Sequence, residues 1–270
     1  MGNSAIAFPL QRLGMNVWTI PTVIFSNHTG YQDWQGMVMD PETIWKIYLG
    51  LKKRGVIEHC KAILTGYVGS AALEQTLEAI LADIRRTHPA CIYCCDPVMG
   101  DVGQGFFVHS DISQLFREKL CPQAHILTPN HFELEFLAGR ALGSIEETLQ
   151  ACRTLLKQGP EVILVTSLRF ATDKPGQITL LAVTKTEAYR VITPYFPVTL
   201  SGTGDIAAAL FTFFYLQYRG SLSEALPHTA ARIFEIIEAT VKSGSQELAL
   251  VQAQEGIAHP CHMFLGEKVG

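Results

Sequence analysis

The chain has 270 residues, of which 48% are hydrophobic, and it is long enough to bury a large core within one domain. A formal net charge of −4, without any cluster of Lys or Arg, disfavours nucleic acid as a partner. A membrane protein is disfavoured too, because the apolar run at residues 206–218 is too short to span a bilayer and contains Thr212 and Gln217. The start of the sequence lacks the charged region and apolar stretch of a signal peptide.

The seven cysteines are an odd number in a chain of this size, which argues against a disulfide framework and for a reducing, cytoplasmic location. The spacing Cys91-x-x-Cys94-Cys95 could indicate a metal or redox site. It lies, however, in an apolar segment typical of a buried strand, and no second Cys/His pair follows at zinc-finger spacing. We therefore expect free thiols, mostly buried, instead of metal ligands.

The first predicted element is a helix over residues 3–13. From residue 43 to about 170, amphipathic helices alternate with short apolar strands, which is typical of βα units and a mainly parallel sheet. The next helices are predicted over residues 40–54, 70–86, 110–120, 132–138 and 144–157. The strands between them are predicted at residues 62–64, 92–95, 125–127 and 162–165. Polar or glycine-containing residues follow each strand, and ligands of open α/β sheets bind at such carboxyl ends.

Beyond Ser167 the pattern changes. Residues 177–184 and 188–192 flank a turn and predict an antiparallel hairpin at the end of the sheet. The remaining segments are predicted to be helical: residues 206–216, 223–241 and 246–255. Since no linker or repeat divides the chain, we expect one α/β domain over residues 1–270 with a mixed sheet.

The segment Ser201-Gly202-Thr203-Gly204-Asp205 runs directly into a predicted helix. Its glycines let a ligand approach the backbone, and the free N–H groups of the first helical turn then form an anion site. Aspartate is also a good helix cap, so Asp205 alone could simply bond to backbone N–H groups. The motif by itself leaves both readings open.

Three other predicted strands end in groups that suit phosphoryl transfer, which needs a base, donors around the phosphoryl group and a divalent ion. Asp205 can act as the base and the amides of residues 202–205 as the donors. Mg²⁺ takes oxygen ligands and keeps several waters, so its neighbours need only approach it. The candidate neighbours are Asp96, Asn130 and Glu133, and Thr166-Ser167 ends the third strand. Asn130 is also a plausible helix cap.

Six segments together are similar to motifs of a known family. They are Gly2-Asn3-Ser4-Ala5, residues 25–31 (FSNHTGY), Thr65-Gly66-Tyr67, residues 95–101 (CDPVMGD), Thr128-Pro129-Asn130-x-x-Glu133 and Gly202-Thr203-Gly204-Asp205. On these residues the chain resembles the ribokinase-like superfamily, and within it the pyridoxal kinases, over essentially its whole length. The N-x-x-E and G-T-G-D motifs mark the superfamily, whereas FSNHTGY and TGY are more specific to pyridoxal kinases.

The resemblance implies a three-layer sandwich with helices on both faces of the sheet, and a homodimer. It implies that ATP phosphorylates the 5′-hydroxymethyl group of pyridoxal, pyridoxine or pyridoxamine to give pyridoxal 5′-phosphate in vitamin B6 salvage. Asp205 would be the base beside Gly202, Thr203 and Gly204. The residues implied at ATP are Asp96, Asn130, Thr166, Ser167, Gly202 and Thr203, and those implied at magnesium are Glu133, Asn130 and Asp96. A monovalent cation, K⁺, is implied near Asp96 and Thr128.

Thr29, His28 and Tyr67 would line the pyridoxal pocket, where an aromatic pyridine ring suits a flat slot with few polar groups. His28 could equally be a loop histidine satisfied by backbone. Residues 100–108, with three glycines, are expected to form a mobile flap over ATP, or else a simple exposed loop.

Two departures from the family stand out. Phe107 occupies a position where some pyridoxal kinases have a tyrosine. The family also begins with a strand and a serine-containing segment that would precede Gly2, and we expect the sequence upstream of Met1 to encode them in frame.

Two enzymatic alternatives of the same fold are a hydroxymethylpyrimidine kinase and a sugar kinase. The first usually has cysteine in place of Asp205, and the second lacks the FSNHTGY string. A third alternative is a catalytically silent protein that binds pyridoxal or its phosphate, which the presence of Asp205, Asn130 and Glu133 disfavours.

Overall fold

The protein is described here by a computed structural model that covers residues 2–31 and 33–270. Its helices are α1 (Asn3–Arg12), α2 (Pro41–Lys53), α3 (Glu74–Thr87), α4 (Ser110–Leu115), α5 (His131–Ala138), α6 (Ile145–Leu155), α7 (Thr203–Gln217), α8 (Leu222–Ser243) and α9 (Gln254–Ala258). Its strands are β1 (Val23–Phe25), β2 (Gly36–Val38), β3 (Ala62–Thr65), β4 (Ile92–Cys95), β5 (Gly100–Asp101), β6 (Gly105–Phe106), β7 (Ile126–Leu127), β8 (Val162–Leu168), β9 (Gln177–Thr184), β10 (Ala188–Pro194) and β11 (Glu267–Lys268).

Seven strands form the central sheet, in the order β11-β10-β9-β8-β7-β4-β3. The neighbours β3, β4, β7 and β8 run parallel, whereas β9, β10 and β11 pair in antiparallel fashion. The predicted mixed, mainly parallel sheet with a terminal hairpin is therefore confirmed, and β11 extends it by one short strand.

Helices cover both faces of this sheet. Alternate residues of β8 belong to separate hydrophobic clusters, Ile163 and Val165 to one and Val162 and Leu164 to the other. Helices α2 to α6 contribute to the first cluster, and α1, α7, α8 and α9 contribute to the second. A strand buried on both faces reads as a continuous apolar run, as residues 162–165 do. The three-layer architecture is confirmed.

Local sequence explains where several helices begin. The Asp40 carboxylate accepts the Thr43 N–H at 2.9 Å at the start of α2, and Pro41 occupies the first turn. The Ser144 hydroxyl likewise accepts the Glu147 N–H at 3.2 Å. Ser144 and Glu147 form only half of a capping box, because the Glu147 carboxylate bonds to the N–H of Gly143 instead of that of Ser144.

The prediction of a helix over residues 246–255 is wrong, since regular helix begins only at α9. Helix α8 ends at Gly244 in the left-handed conformation, with φ of 65°. The Thr240 hydroxyl then accepts the Ala249 N–H at 2.9 Å. The Ser245 hydroxyl accepts the Glu247 N–H and donates to the Glu247 carbonyl. These bonds hold the segment in turns against α8.

Two small antiparallel pairs lie outside the central sheet. One is the ribbon of β1 and β2, in which Gly36 has φ of 146° and a Cβ would stand 2.0 Å from the Ile24 carbonyl oxygen. Glycine is therefore required there. The other pair, β5 with β6, lies in the segment expected to form a flap.

Strand β3 lies at one edge of the central sheet, and β4 is its partner there. Its other side faces a cavity that residues 15–22 also line. An additional strand would pair on this side, and its existence stays a prediction. Within residues 2–31 and 33–270, no helix combines the length and apolar character needed to cross a membrane.

Candidate active site

The carboxyl ends of the parallel strands open into a cleft of about 1540 Å³. Every residue predicted for the site lines this cleft except Ser167: His28, Thr29, Tyr67, Asp96, Asn130, Glu133, Thr166, Gly202, Thr203, Gly204 and Asp205. The volume exceeds the roughly 300–1,000 Å³ of typical ligand pockets because the cleft continues along the open side of β3.

Asp205 lies in the first turn of α7 and faces the cleft. Gly202 precedes the helix with φ of 92°, a left-handed conformation that glycine adopts without strain. The Asp205 Oδ2 atom accepts the Gly2 N–H at 2.8 Å. Burial raises the pKa of Asp205 above its usual range. Within the described part of the chain the carboxylate makes no bond that would cap α7, so the cap reading finds no support.

The other carboxylate oxygen of Asp205 is turned toward Gly66. A Cβ on Gly66 would stand 3.6 Å from Asp205 Oδ1, so the absence of a side chain leaves this oxygen open to the cleft. The first N–H groups of α7 have no partners within the helix and point into the same space. A carboxylate and a group of free N–H donors thus occur within one turn of backbone.

Asp96 follows β4 and is 3% exposed. Its Oδ1 atom accepts the Thr128 hydroxyl at 3.1 Å, whereas Oδ2 is buried without a hydrogen-bond partner among the described residues. Burial raises the pKa of Asp96 well above its usual range, and the negative charges of Glu133 and Asp205 raise it further. Such a group needs either a proton or a nearby cation.

Asn130 and Glu133 form a complete capping box at the start of α5. The Glu133 oxygens accept the N–H groups of Met99 and Asn130, each at 2.9 Å, and burial raises the pKa of Glu133 to about 8. Asn130 also donates its side-chain amide to the Gly100 carbonyl at 2.8 Å. The cap reading of Asn130 is therefore correct, and it does not remove Asn130 from the cleft.

The β5–β6 hairpin lies directly beside this box. The Phe106 ring contacts the rings of Phe132 and Phe136, with centroids 4.9 Å and 5.1 Å away. A Cβ on Gly100 would stand 2.4 Å from the Phe132 ring, so the start of the hairpin is packed against α5. Phe107, which departs from the family pattern, is 42% exposed.

Thr166 and Ser167 differ in environment although they are adjacent. Thr166 is buried, and its N–H donates to the Pro129 carbonyl at 3.0 Å. Ser167 is exposed, with φ of 59°, where the pairing of β8 with β9 shifts register. Left-handed backbone is uncommon outside glycine, and such strain collects at functional sites.

The residues expected around pyridoxal lie on two loops across the cleft from Asp96. His28 Nδ1 accepts the Gly30 N–H at 3.0 Å and lies 3.3 Å from the Ser201 hydroxyl. The proton of the neutral ring is then on Nε2, and burial lowers the pKa of His28. The loop thus satisfies one nitrogen of His28, and contact of the other nitrogen with a ligand stays a prediction.

One contact near the cleft was not expected from the sequence. The Tyr31 hydroxyl donates to the Glu247 carboxylate at 2.8 Å, although the two residues lie 216 positions apart. Such a long-range pair leaves no signal in local sequence patterns. All seven cysteines are free thiols, as expected.

Comparison with known proteins places this geometry in a family. The family model described as phosphomethylpyrimidine kinase matches residues 10–250. A relative named pyridoxal kinase PdxY, from Rubrobacter xylanophilus, is 43% identical over 96% of this chain and 90% of its own length. Another of that name, from Granulibacter bethesdensis, is 40% identical over 99% of this chain and 94% of its own.

Solved structures agree with the sequence relatives. The pyridoxal kinase of Leishmania donovani, in complex with ADP and pyridoxamine, superposes with a TM-score of 0.91 at 28% identity, covering 100% of this chain and 95% of that one. The family model matches most of the chain, and relatives named pyridoxal kinase match nearly all of it. The chain therefore belongs to the phosphomethylpyrimidine kinase family, and within it to the pyridoxal kinases.

Proposed function

We propose that the protein is an ATP-dependent pyridoxal kinase, which phosphorylates the 5′-hydroxymethyl group of pyridoxal, pyridoxine and pyridoxamine. The observation that carries this proposal is the Asp205 carboxylate, held at the first turn of α7 with one oxygen open beside Gly66. The relatives named pyridoxal kinase, and the solved kinase with ADP and pyridoxamine, support the substrate class.

In the reaction, Asp205 Oδ1 accepts the proton of the substrate hydroxyl as its oxygen attacks the γ-phosphorus of ATP. The bond from that phosphorus to the β–γ bridging oxygen breaks, and ADP leaves. The raised pKa of Asp205 brings it closer to neutral pH, which makes the carboxylate a better base there. Residues 202–204 donate N–H groups to the phosphoryl oxygens as charge develops on them. His28 and Tyr67 orient the pyridine ring, while Thr166 and Ser167 approach the phosphates.

The acidic groups of the cleft suit cations. One buried oxygen of Asp96 has no hydrogen-bond partner among the described residues, and the charge of Asp96 interacts unfavourably with those of Glu133 and Asp205. Both Glu133 oxygens already accept N–H groups, which favours contact with magnesium through water over direct coordination. Asp96, Asn130 and Glu133 would hold Mg²⁺, and Asp96 with Thr128 would hold K⁺. When bound, the divalent ion neutralises charge on the ATP phosphates.

The ribbon of β1 and β2 supports a homodimer. Ile24 and Met37 are cross-strand partners on this ribbon, and they are 53% and 61% exposed. Two large apolar side chains side by side are typical of a surface that a second copy covers. Light scattering of the eluted protein should give twice the mass of the 270-residue chain, and Met37→Glu should give the monomer.

The free thiols are consistent with the cytoplasm as the location of the protein.

The test of function is a side-by-side assay with Mg²⁺ and ATP. Pyridoxal should be phosphorylated with a higher kcat/KM than hydroxymethylpyrimidine or ribose. Hydroxymethylpyrimidine is the second candidate because the matching family model is described as phosphomethylpyrimidine kinase. Equal or faster turnover of that substrate would overturn the substrate assignment. Binding of pyridoxal without turnover would instead identify a silent binding protein.

A further inference from the structure

Residues 26–31, the last six of the FSNHTGY motif, form a segment that lines the cleft and is called the strap below. Its internal bonds define its shape: the Asn27 amide donates to the Asp33 carbonyl at 2.8 Å, and the Tyr31 N–H donates to the His28 carbonyl at 3.0 Å. A Cβ on Gly30 would stand 2.8 Å from His28 Nδ1, so glycine is needed for the ring to fold back on the turn. The strap is thus a structured turn.

The strap touches the body of the protein at two points. His28 meets Ser201 beside the anion site, and Tyr31 donates to Glu247 beyond it. Glu247 sits in a fixed segment, since Ser245 bonds to its backbone and Ala249 bonds to buried Thr240. The second contact therefore ties the strap to the end of α8.

We infer that the Tyr31–Glu247 hydrogen bond is a latch that positions His28 and Thr29 over the vitamer. His28 and Thr29 lie on the strap between Ser201 and Glu247, and all of these residues line the cleft. With the latch closed, His28 Nε2–H and the Thr29 side chain are presented to the substrate in one orientation. With it open, the strap loses its tie to the end of α8, and the two residues sample several positions.

This inference rests on the proposed function, since it names the vitamer as the ligand of the strap. Tyr31 and Glu247 are positioning residues, because they act through His28 and Thr29 and not on the reacting atoms. The latch is exposed, Tyr31 by 38%, so solvent weakens it and its loss should change binding several-fold without unfolding the protein.

The experiment compares Tyr31→Phe, Glu247→Ala and the double variant. We expect each single variant to raise KM for pyridoxal about three- to tenfold, with kcat and KM for ATP nearly unchanged, as for loss of uniform binding. The double variant should match the single ones, because both remove the same bond. Glu247→Gln keeps an acceptor oxygen and should restore most of the affinity. Glu118→Ala, which removes an exposed charge elsewhere, should have no effect.

Hydrogen exchange of the strap provides a readout that does not depend on turnover. Amides of residues 26–31 should exchange faster in Tyr31→Phe and Glu247→Ala than in the wild type, whatever the substrate is. If exchange rises but no vitamer is phosphorylated, the proposed function fails and the latch stands. Unchanged exchange, or additive effects in the double variant, would overturn the latch. A rise in KM for ATP equal to that for pyridoxal would show a general structural role.

Discussion

Asp205 and Gly66 face one another across the cleft, and a Cβ on Gly66 would stand 3.6 Å from Asp205 Oδ1. That distance is an ordinary van der Waals contact, so the protein itself would accept alanine at this position. In the proposed reaction, the space that the methyl group would fill is the space that the substrate hydroxyl needs in order to reach Asp205. Alanine at residue 66 is therefore expected to leave folding intact and to impair the proposed reaction.

The substitution Asp205→Asn should lower kcat by about 10²–10⁴, the typical contribution of a positioned general base. ATP binding should largely persist, because the N–H groups of α7 remain in place. Steady-state kinetics and calorimetric titration with ATP measure the two quantities. Near wild-type kcat in this variant would mean that Asp205 only maintains structure.

The substitution Gly66→Ala should leave thermal stability almost unchanged, since the added methyl group meets no atom closer than 3.6 Å. It should nevertheless lower kcat/KM for pyridoxal by about tenfold or more, because a small misplacement of reacting groups is costly. Thermal unfolding and kinetics on the same preparation test both statements. Unaltered kinetics would place the hydroxyl of the substrate elsewhere.

The pH profile should carry an acid limb set by Asp205. The ionised form is the base, so kcat/KM should fall as the pH is lowered through the pKa of Asp205. Burial raises that pKa, and the limb should therefore lie above the usual value of about 3.9. Rates between pH 5 and 9 at constant free Mg²⁺ measure it. A limb that disappears in His28→Gln would assign the titration to His28 instead.

Asp96→Asn should remove the response of the protein to cations. The neutral amide has no charge to attract a cation where Asp96 has an oxygen without a partner among the described residues. The melting temperature should therefore no longer rise when Mg²⁺ or K⁺ is added. Differential scanning fluorimetry with each chloride salt, and with tetramethylammonium chloride as the control, gives the comparison. An unchanged cation response would remove Asp96 from the proposed cation site.

Tyr48→Phe tests the packing of α2 on α3. The buried Tyr48 hydroxyl donates to the Asp83 carboxylate at 2.6 Å, and its loss should cost about 1 kcal/mol, or a fall in Tm of about 2–4 °C. A hydrogen bond from Lys52 and that from Tyr48 lower the pKa of Asp83 to about 2. The stabilisation is therefore present above the ordinary carboxyl pKa and is lost as the pH falls toward 2. Denaturant unfolding at pH 7 and pH 3 should show a larger difference at pH 7.

Local patterns in the sequence were sufficient to predict the helices that begin with capping residues. Asp40 and Pro41 define the start of α2, and Asn130 with Glu133 defines that of α5. The short ribbon of β1 and β2 was not predicted, because three-residue strands leave too little alternation to recognise.

In the candidate site too, features set by local sequence were predictable, and contacts between distant segments were not. The groups at strand ends were predictable because parallel strands bring their carboxyl ends together. The bond between Tyr31 and Glu247 depends on where two loops meet in space. The helix predicted around Glu247 was wrong for a similar reason, because the buried Thr240 hydroxyl accepts the N–H of Ala249.

The edge position of β3 determines where the central sheet can accept a further strand. A strand at a sheet edge presents a row of backbone donors and acceptors that another extended segment can pair with. Ala62–Thr65 is apolar apart from its last residue, and among the residues described only exposed Lys61 brings a charge immediately before it. Any chain segment able to adopt strand conformation can therefore extend the sheet there without breaking an existing bond.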